Sequence, residues 1–169
     1  MTNVIRYETP QKEVEQLEGP VIFLAGPTVR GNQTHLQPSW RFAAVEEFKK
    51  RGFEGTVILP EFTSPTESDQ YRYDLPLWEY AGLKRADCIL FWIPRTRELI
   101  GLTTNWELGY WVGKDRDKVV FGRPDDAYRI TYSTIMWNKV HEEDGIVAKV
   151  HNTLEDTIEE SIRKTEQKL

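Results

Sequence analysis

Glu107, in the segment Thr103-Thr104-Asn105-Trp106-Glu107-Leu108-Gly109, is the side chain best placed to serve as a nucleophile. It stands three residues after Thr104, so the two also read as a capping box, Thr104-x-x-Glu107, at a helix start. The two readings coexist. A carboxylate in a first helical turn is held as an anion by the helix N-terminus, which suits a nucleophile at neutral pH. Glu79 is the second candidate. On a helical wheel it shares one face with Leu75, Trp78, Gly82, Leu83 and Ala86, on or beside an apolar stripe. A carboxylate there needs a buried partner such as Arg41, an edge position that reaches water, or a function, because burying an unpaired charge is costly. Two inward carboxylates at the mouth of a sheet can run glycosidic chemistry without a metal. In a retaining mechanism one is the nucleophile and the other handles protons, about 5–5.5 Å apart.

Other chemistries find less support. His35, His141 and His151 are scattered and lack a metal-ligand spacing, and no cofactor motif is present. Cys88 falls inside an apolar run and reads as core. Neither a Gly-x-Ser-x-Gly elbow nor a Gly-x-x-x-x-Gly-Lys phosphate loop occurs. The segment Ala25-Gly26-Pro27-Thr28-Val29-Arg30-Gly31 is a glycine-bearing loop after a strand. Arg30 and the backbone N–H groups there can hold a phosphate or a ribose hydroxyl.

The elements that must carry these residues alternate. Apolar runs at 21–25, 56–60, 88–94 and 118–122 read as strands, and 146–150 as a fifth. Runs that are apolar on both faces predict strands buried in a parallel sheet. Helices are predicted from Ser39 as N-cap to Gly52 as C′ residue, from Asp74 through Ala86, and over 105–113. Another is expected near 130–140, and a last one starts from an Asn152/Glu155 capping box. Residues 1–19 read as an arm or edge strand. The whole chain, 1–169, is then one domain, an α/β doubly wound sheet of five parallel strands between two helix layers. Ligands of such folds bind beyond the carboxyl ends of the strands. That is where Gly26, Glu61, Pro94–Asn105 and the segment after Gly122 fall.

Composition sets the outer bounds. A net charge of -5 argues against a general nucleic-acid binder or an anionic-membrane binder. A single cysteine excludes an internal disulfide framework and fits a reducing, cytoplasmic setting. No apolar run is long enough to span a bilayer, and the first residues hold no signal-peptide core. Six tryptophans are more than a small core needs. Trp40 and Trp78 lie on inward stripes, Trp92 ends a strand, and Trp106 precedes Glu107, so rings are available to stack a flat ligand. Trp111 shares the helix of Glu107, and Trp137 is left for a subunit contact.

Four blocks in this order, IFLAGPTVR (22–30), SWR (39–41), WEYAGLKRADCILFWIP (78–94) and NWELGYW (105–111), resemble the nucleoside 2-deoxyribosyltransferase-like family. The resemblance covers roughly residues 20–150. It implies a flavodoxin-like fold and cleavage of the N-glycosidic bond of a nucleoside or nucleotide. By its implication Glu107 attacks the anomeric carbon, and a covalent deoxyribosyl-enzyme is resolved by a second base or by water. Glu79 would contact the base or share its proton. Gly26, Pro27, Thr28 and Arg30 would line the sugar or its 5′ end, with Trp78, Thr104, Asn105 and Trp106 as further binding candidates. The implied partners are a nucleoside or nucleotide and a free nucleobase, in a homo-oligomer whose neighbouring subunit completes the pocket. The chain departs from the pattern in four places. Ile22 and Phe23 stand where many transferases carry a first-strand tyrosine, and Glu79 where Asp is common. Thr103 and Thr104 replace the serine and glycine of monophosphate hydrolases. The loop from Pro94 to Glu107 is long, so Glu98 is either the sugar-binding acid or a solvated loop charge.

The leading expectation is therefore an N-deoxyribosyltransferase or N-glycosidase. One rival is a non-catalytic nucleotide-sensing module of the same fold. Another is an interaction protein with an aromatic surface patch.

Overall fold

The computed structural model describes residues 1–29, 38–63 and 74–168. Its elements in chain order are β1 (Asn3–Ile5), α1 (Gln11–Glu15), β2 (Val21–Ala25), α2 (Trp40–Lys50) and β3 (Thr56–Ile58). They continue with α3 (Leu75–Arg85), β4 (Cys88–Trp92), α4 (Leu102–Asp115), β5 (Val119–Gly122), α5 (Thr131–Glu143) and α6 (Leu154–Glu166). The strands form one sheet in the order β1-β3-β2-β4-β5, and every pairing is parallel. This is the three-layer, flavodoxin-like α/β arrangement expected from the alternation of runs.

The two faces of the sheet separate by strand pleat. Val21, Phe23, Ala25, Ile89 and Phe91 meet α1, α3, α4 and α5 through Val14, Trp78, Leu83, Leu108, Trp111 and Trp137. Ile22, Leu24, Cys88, Leu90 and Trp92 meet α2 and α6 through Trp40, Ala44, Phe48 and Ile158. Burial raises the Cys88 thiol to about 11, so it stays protonated within the core.

The fifth strand is not the one expected. Residues 146–150 form no strand; only His151 bridges to Gly122 at the free edge of β5. Gly145, at φ 69°, turns the chain out of α5, and Val147 is left 93% exposed. Apolar composition favoured a strand, but the run packs on the core only in part, through Ala148 and Val150. The count of five is completed at the opposite edge by β1, which pairs with β3 from Asn3↔Thr56 to Ile5↔Ile58. So the arm belongs to the sheet.

Helix starts follow local chemistry, with two corrections. Ser39 caps α2 by accepting from the Arg41 N–H, as its position predicted. Asp74 holds the N-cap position of α3, with Pro76 in the first turn, but its side chain makes no capping bond. The cap of α6 is Thr153, which accepts from Asp156 N–H, one residue later than the predicted box. α4 starts at Leu102 behind Gly101, whose φ of 60° lies in the left-handed region, and no side chain caps it. Thr104 is therefore inside the helix and 1% exposed, and the Thr104–Glu107 capping box does not form.

Candidate active site

β2 lies between β3 and β4 and feeds its carboxyl end into Gly26, at the point where the chain's winding direction reverses. Gly26 has φ 152°, and a Cβ there would fall 2.1 Å from the Trp92 carbonyl oxygen. Only glycine lets the loop pass so close to the end of β4. Beneath the loop lies Arg41, 2% exposed. Its guanidinium donates to the carbonyls of Leu24 (3.0 Å), Gly26 (2.7 Å) and Pro27 (3.4 Å), and to Thr28 Oγ1 (3.2 Å). It also donates to Glu61 Oε1 at 2.9 Å, and Ser39 Oγ donates to the same oxygen. The Trp40 indole N–H adds a 3.0 Å bond to Pro27 O. A buried, fully engaged cation thus fixes the shape of the first loop. Arg41, considered above as a partner for Glu79, is paired with Glu61 instead.

The cleft above this loop is lined by Phe23, Gly26, Thr28, Arg41, Glu79 and Glu107, among others. α3 supplies Glu79 and the second turn of α4 supplies Glu107. Of the candidates read from sequence, Gly26, Thr28, Glu79 and Glu107 meet here. Pro27 contributes its backbone carbonyl to the Arg41 network and packs its ring against Gly101. Trp78 lies under the cleft, 4% exposed, with its indole N–H on Thr9 O at 2.8 Å.

The other described candidates do not line the cleft. Thr103 lines it in place of the buried Thr104. Asn105 accepts from Arg95 at 2.7 Å. Glu98 is exposed on the loop, with its N–H on Thr96 Oγ1. Trp106 is 67% exposed and stacks on Tyr110, ring centroids 5.3 Å apart, so it faces away from the site. Neighbouring helical residues point about 100° apart, so with Glu107 lining the cleft Trp106 is turned to the surface. Trp137 is 5% exposed against Phe121 and so is core rather than a surface contact. Arg30 lies outside the described residues.

The electrostatics also differ from expectation. Glu107 stands beyond the first turn, where the helix N-terminus has little reach. Burial, reinforced by the charge of Glu79 and opposed by Arg41, raises its carboxyl from 4.5 to about 7. Glu107 is thus not a permanently ionised group but one that titrates near neutral pH.

Sequence reading missed Tyr7. Its hydroxyl donates to Glu79 Oε1, and its ring packs on Phe62 and Trp78 at 4.9 Å each. Burial, then the charge of Glu79, holds the phenol proton far above the ordinary tyrosine range. The missed signal was the register of NVIRY: Ile5 is an inward apolar residue, and Tyr7, two residues on, points the same way.

A larger hollow of about 310 Å³ lies beside β5, between Trp137, His141, His151 and Lys164. Its acids, Asp117 and Glu160, sit among Arg116, Arg163 and Lys164, so no pair of carboxylates faces a ligand there. Among the described residues, no three His, Cys, Asp or Glu side chains are grouped to hold a metal ion. No described helix is long and apolar enough to cross a membrane.

Residues 19–126 match the model of a family described as nucleoside 2-deoxyribosyltransferase like. No curated protein matches the chain.

Proposed function

The chain belongs to the nucleoside 2-deoxyribosyltransferase-like family, and from that premise we propose that it transfers or hydrolyses the 2-deoxyribosyl group of a nucleoside or nucleotide. The observation that carries this reading is the Glu79/Glu107 pair facing one cleft, with burial and then the Glu79 charge raising the Glu107 carboxyl to about 7. Such a pair holds one proton between two carboxylates, and its titration belongs to the pair as much as to either member.

One proton is what the chemistry needs. Ionised Glu107 attacks the anomeric carbon; the new C–O bond forms as the C–N bond to the base breaks. The electron pair leaves on the base nitrogen, which takes the proton from Glu79. In the second half, the incoming base gives its N–H proton to Glu79 and attacks the same carbon, expelling Glu107 as carboxylate. Water in that role gives hydrolysis. Gly26 and Thr28 present backbone and hydroxyl groups to the sugar side. The chain works as a homo-oligomer in this reading, with a neighbouring copy closing the open side of the cleft.

The test is to incubate the protein with a deoxynucleoside and a different free base, then separate the products by chromatography. Base exchange identifies a transferase, and base release alone identifies a hydrolase. Turnover should decline as pH rises through about 7, where the pair loses its proton. No turnover with any nucleoside or monophosphate refutes both activities, and full activity in Glu107→Gln refutes the nucleophile.

A further inference from the structure

β1 and the turn after it lie outside the residues that match the family, which begin at 19. Yet this segment is laced into the site at several points. β1 pairs along β3, Leu59 N–H donates to Ile5 O at 2.9 Å, and Tyr7 N–H donates to Glu61 O at 3.4 Å. Glu8 accepts from Thr63 N–H at 2.6 Å. The Trp78 indole, one residue before Glu79, closes on Thr9 O at 2.8 Å. Between these anchors Tyr7 is clamped by Phe62 and Trp78, and its hydroxyl is delivered to one oxygen of Glu79.

We propose that the N-terminal arm is a working part of the site, with Tyr7 as the positioning residue that orients the Glu79 carboxylate and, in the resting pair, leaves the shared proton on Glu107, from which it crosses to Glu79 as Glu107 becomes the nucleophile. This rests on the pair acting as described above. The physical argument is short. A phenol hydroxyl in this position donates only to an oxygen that accepts, and an ionised carboxylate accepts more strongly than a protonated one. The bond therefore favours Glu79 as the anion and leaves the proton of the singly protonated pair to Glu107. The same bond stops the carboxylate turning about its last side-chain torsion, a broad rotor when unrestrained. A Glu79 anion held in one orientation is ready to accept the N–H of an incoming base. The charged and titratable groups facing the pair among the described residues are Tyr7 from the arm, Arg41 from α2, Glu79 from α3 and Glu107 from α4. Arg41 favours the ionised form of Glu107, but it is committed to Glu61. Tyr7 itself stays protonated across the working range.

The test needs no substrate, so it stands apart from the activity assay. Glutamate side chains are labelled with ¹³C at the carboxyl carbon, and Glu79 and Glu107 are followed by NMR from about pH 4 to about pH 9. In the unaltered protein the step near 7 is read at Glu107. In Tyr7→Phe, which keeps the ring contacts, that step moves largely to the Glu79 signal, and Glu107 titrates at lower pH. In Glu79→Gln, Glu107 titrates lower as well, and adding Tyr7→Phe to that background changes nothing further. Superimposable titrations of Tyr7→Phe and the parent overturn the proposal. So does an effect of Tyr7→Phe that persists without Glu79, because Tyr7 would then not be acting through it. Where the parent shows base exchange, Tyr7→Phe lowers kcat/KM for the acceptor base by about tenfold or more, the usual scale for losing a bond to a charged group. A kcat/KM unchanged within about twofold overturns it equally. A parent with no turnover refutes the enzyme reading and leaves the titrations to decide the role of Tyr7.

Discussion

Replacing Glu107 with Gln should stabilise the protein at alkaline pH and leave it unchanged in acid. The carboxyl is raised from 4.5 to about 7 by burial and by Glu79. Between those two values the native state binds a proton that the unfolded chain has released. This contribution is therefore fully present below about 4.5 and is lost as pH rises through about 7. At about 1.4 kcal/mol per pH unit, the whole loss is at most about 3.5 kcal/mol. Glutamine has the shape of the protonated acid and cannot ionise, so the variant keeps what the parent loses. The assay is urea unfolding followed by tryptophan fluorescence at several pH values between about 4 and about 8, with both proteins measured at each. The difference in unfolding free energy should be near zero at the acid end and grow to about 3 kcal/mol at the alkaline end. Titrating groups away from the pair are common to both chains and cancel, and Glu79, which is coupled to Glu107, is part of the difference measured. A difference that stays flat with pH refutes the argument, because it means that Glu107 titrates alike in the folded and unfolded chain.

Two further substitutions probe the support beneath the site. Gly26→Ala places a methyl 2.1 Å from the Trp92 carbonyl and 2.8 Å from the Trp40 ring, at a backbone angle that L residues rarely adopt. It should cost about 3 kcal/mol and lower Tm by about 10 °C in calorimetry; a drop under about 2 °C would show that the loop can shift without penalty. Arg41→Met strips the first loop of its donors and leaves Glu61 buried without its cation. It should cost about 3–5 kcal/mol in urea unfolding, and Glu61→Gln in the same chain should recover part of that. Strictly additive losses would show that the two side chains are not coupled.

The layers, the parallel sheet and the α2 cap were legible because each rests on local pattern: doubly apolar runs, a Ser before a helical stripe, a Gly after it. The edges were not. IVAKV has better strand composition than NVI, yet NVI is the strand, because pairing depends on what the fold leaves open beside β3 and β5. The start of α4 was misread by three residues, since Gly101 begins it with backbone conformation and no side-chain cap. That shift had consequences. It removed the capping box and took Glu107 out of the field of the helix terminus. Glu79 and Glu107 were legible as candidates from residue type and wheel position. Tyr7 was not, because it reaches Glu79 from 72 positions away in the chain.

The charge balance around the cleft says why such a pair would serve a glycosidic substrate. The described cation nearest to it, Arg41, is already answered by Glu61 at 2.9 Å. Arg41 lowers the Glu107 carboxyl, but burial and Glu79 together raise it by more, so the balance at Glu107 favours the protonated acid. In the reaction proposed above, a neutral nucleoside meets the pair while one carboxyl holds a proton. As the bond to the base stretches, positive charge develops on the sugar ring and the pair's proton passes to the departing base. Both carboxylates are then ionised opposite a cationic ring, so the attraction is greatest where the reaction is slowest. A site that kept Glu107 ionised throughout would bind any cation equally well in the resting state and gain less at the barrier.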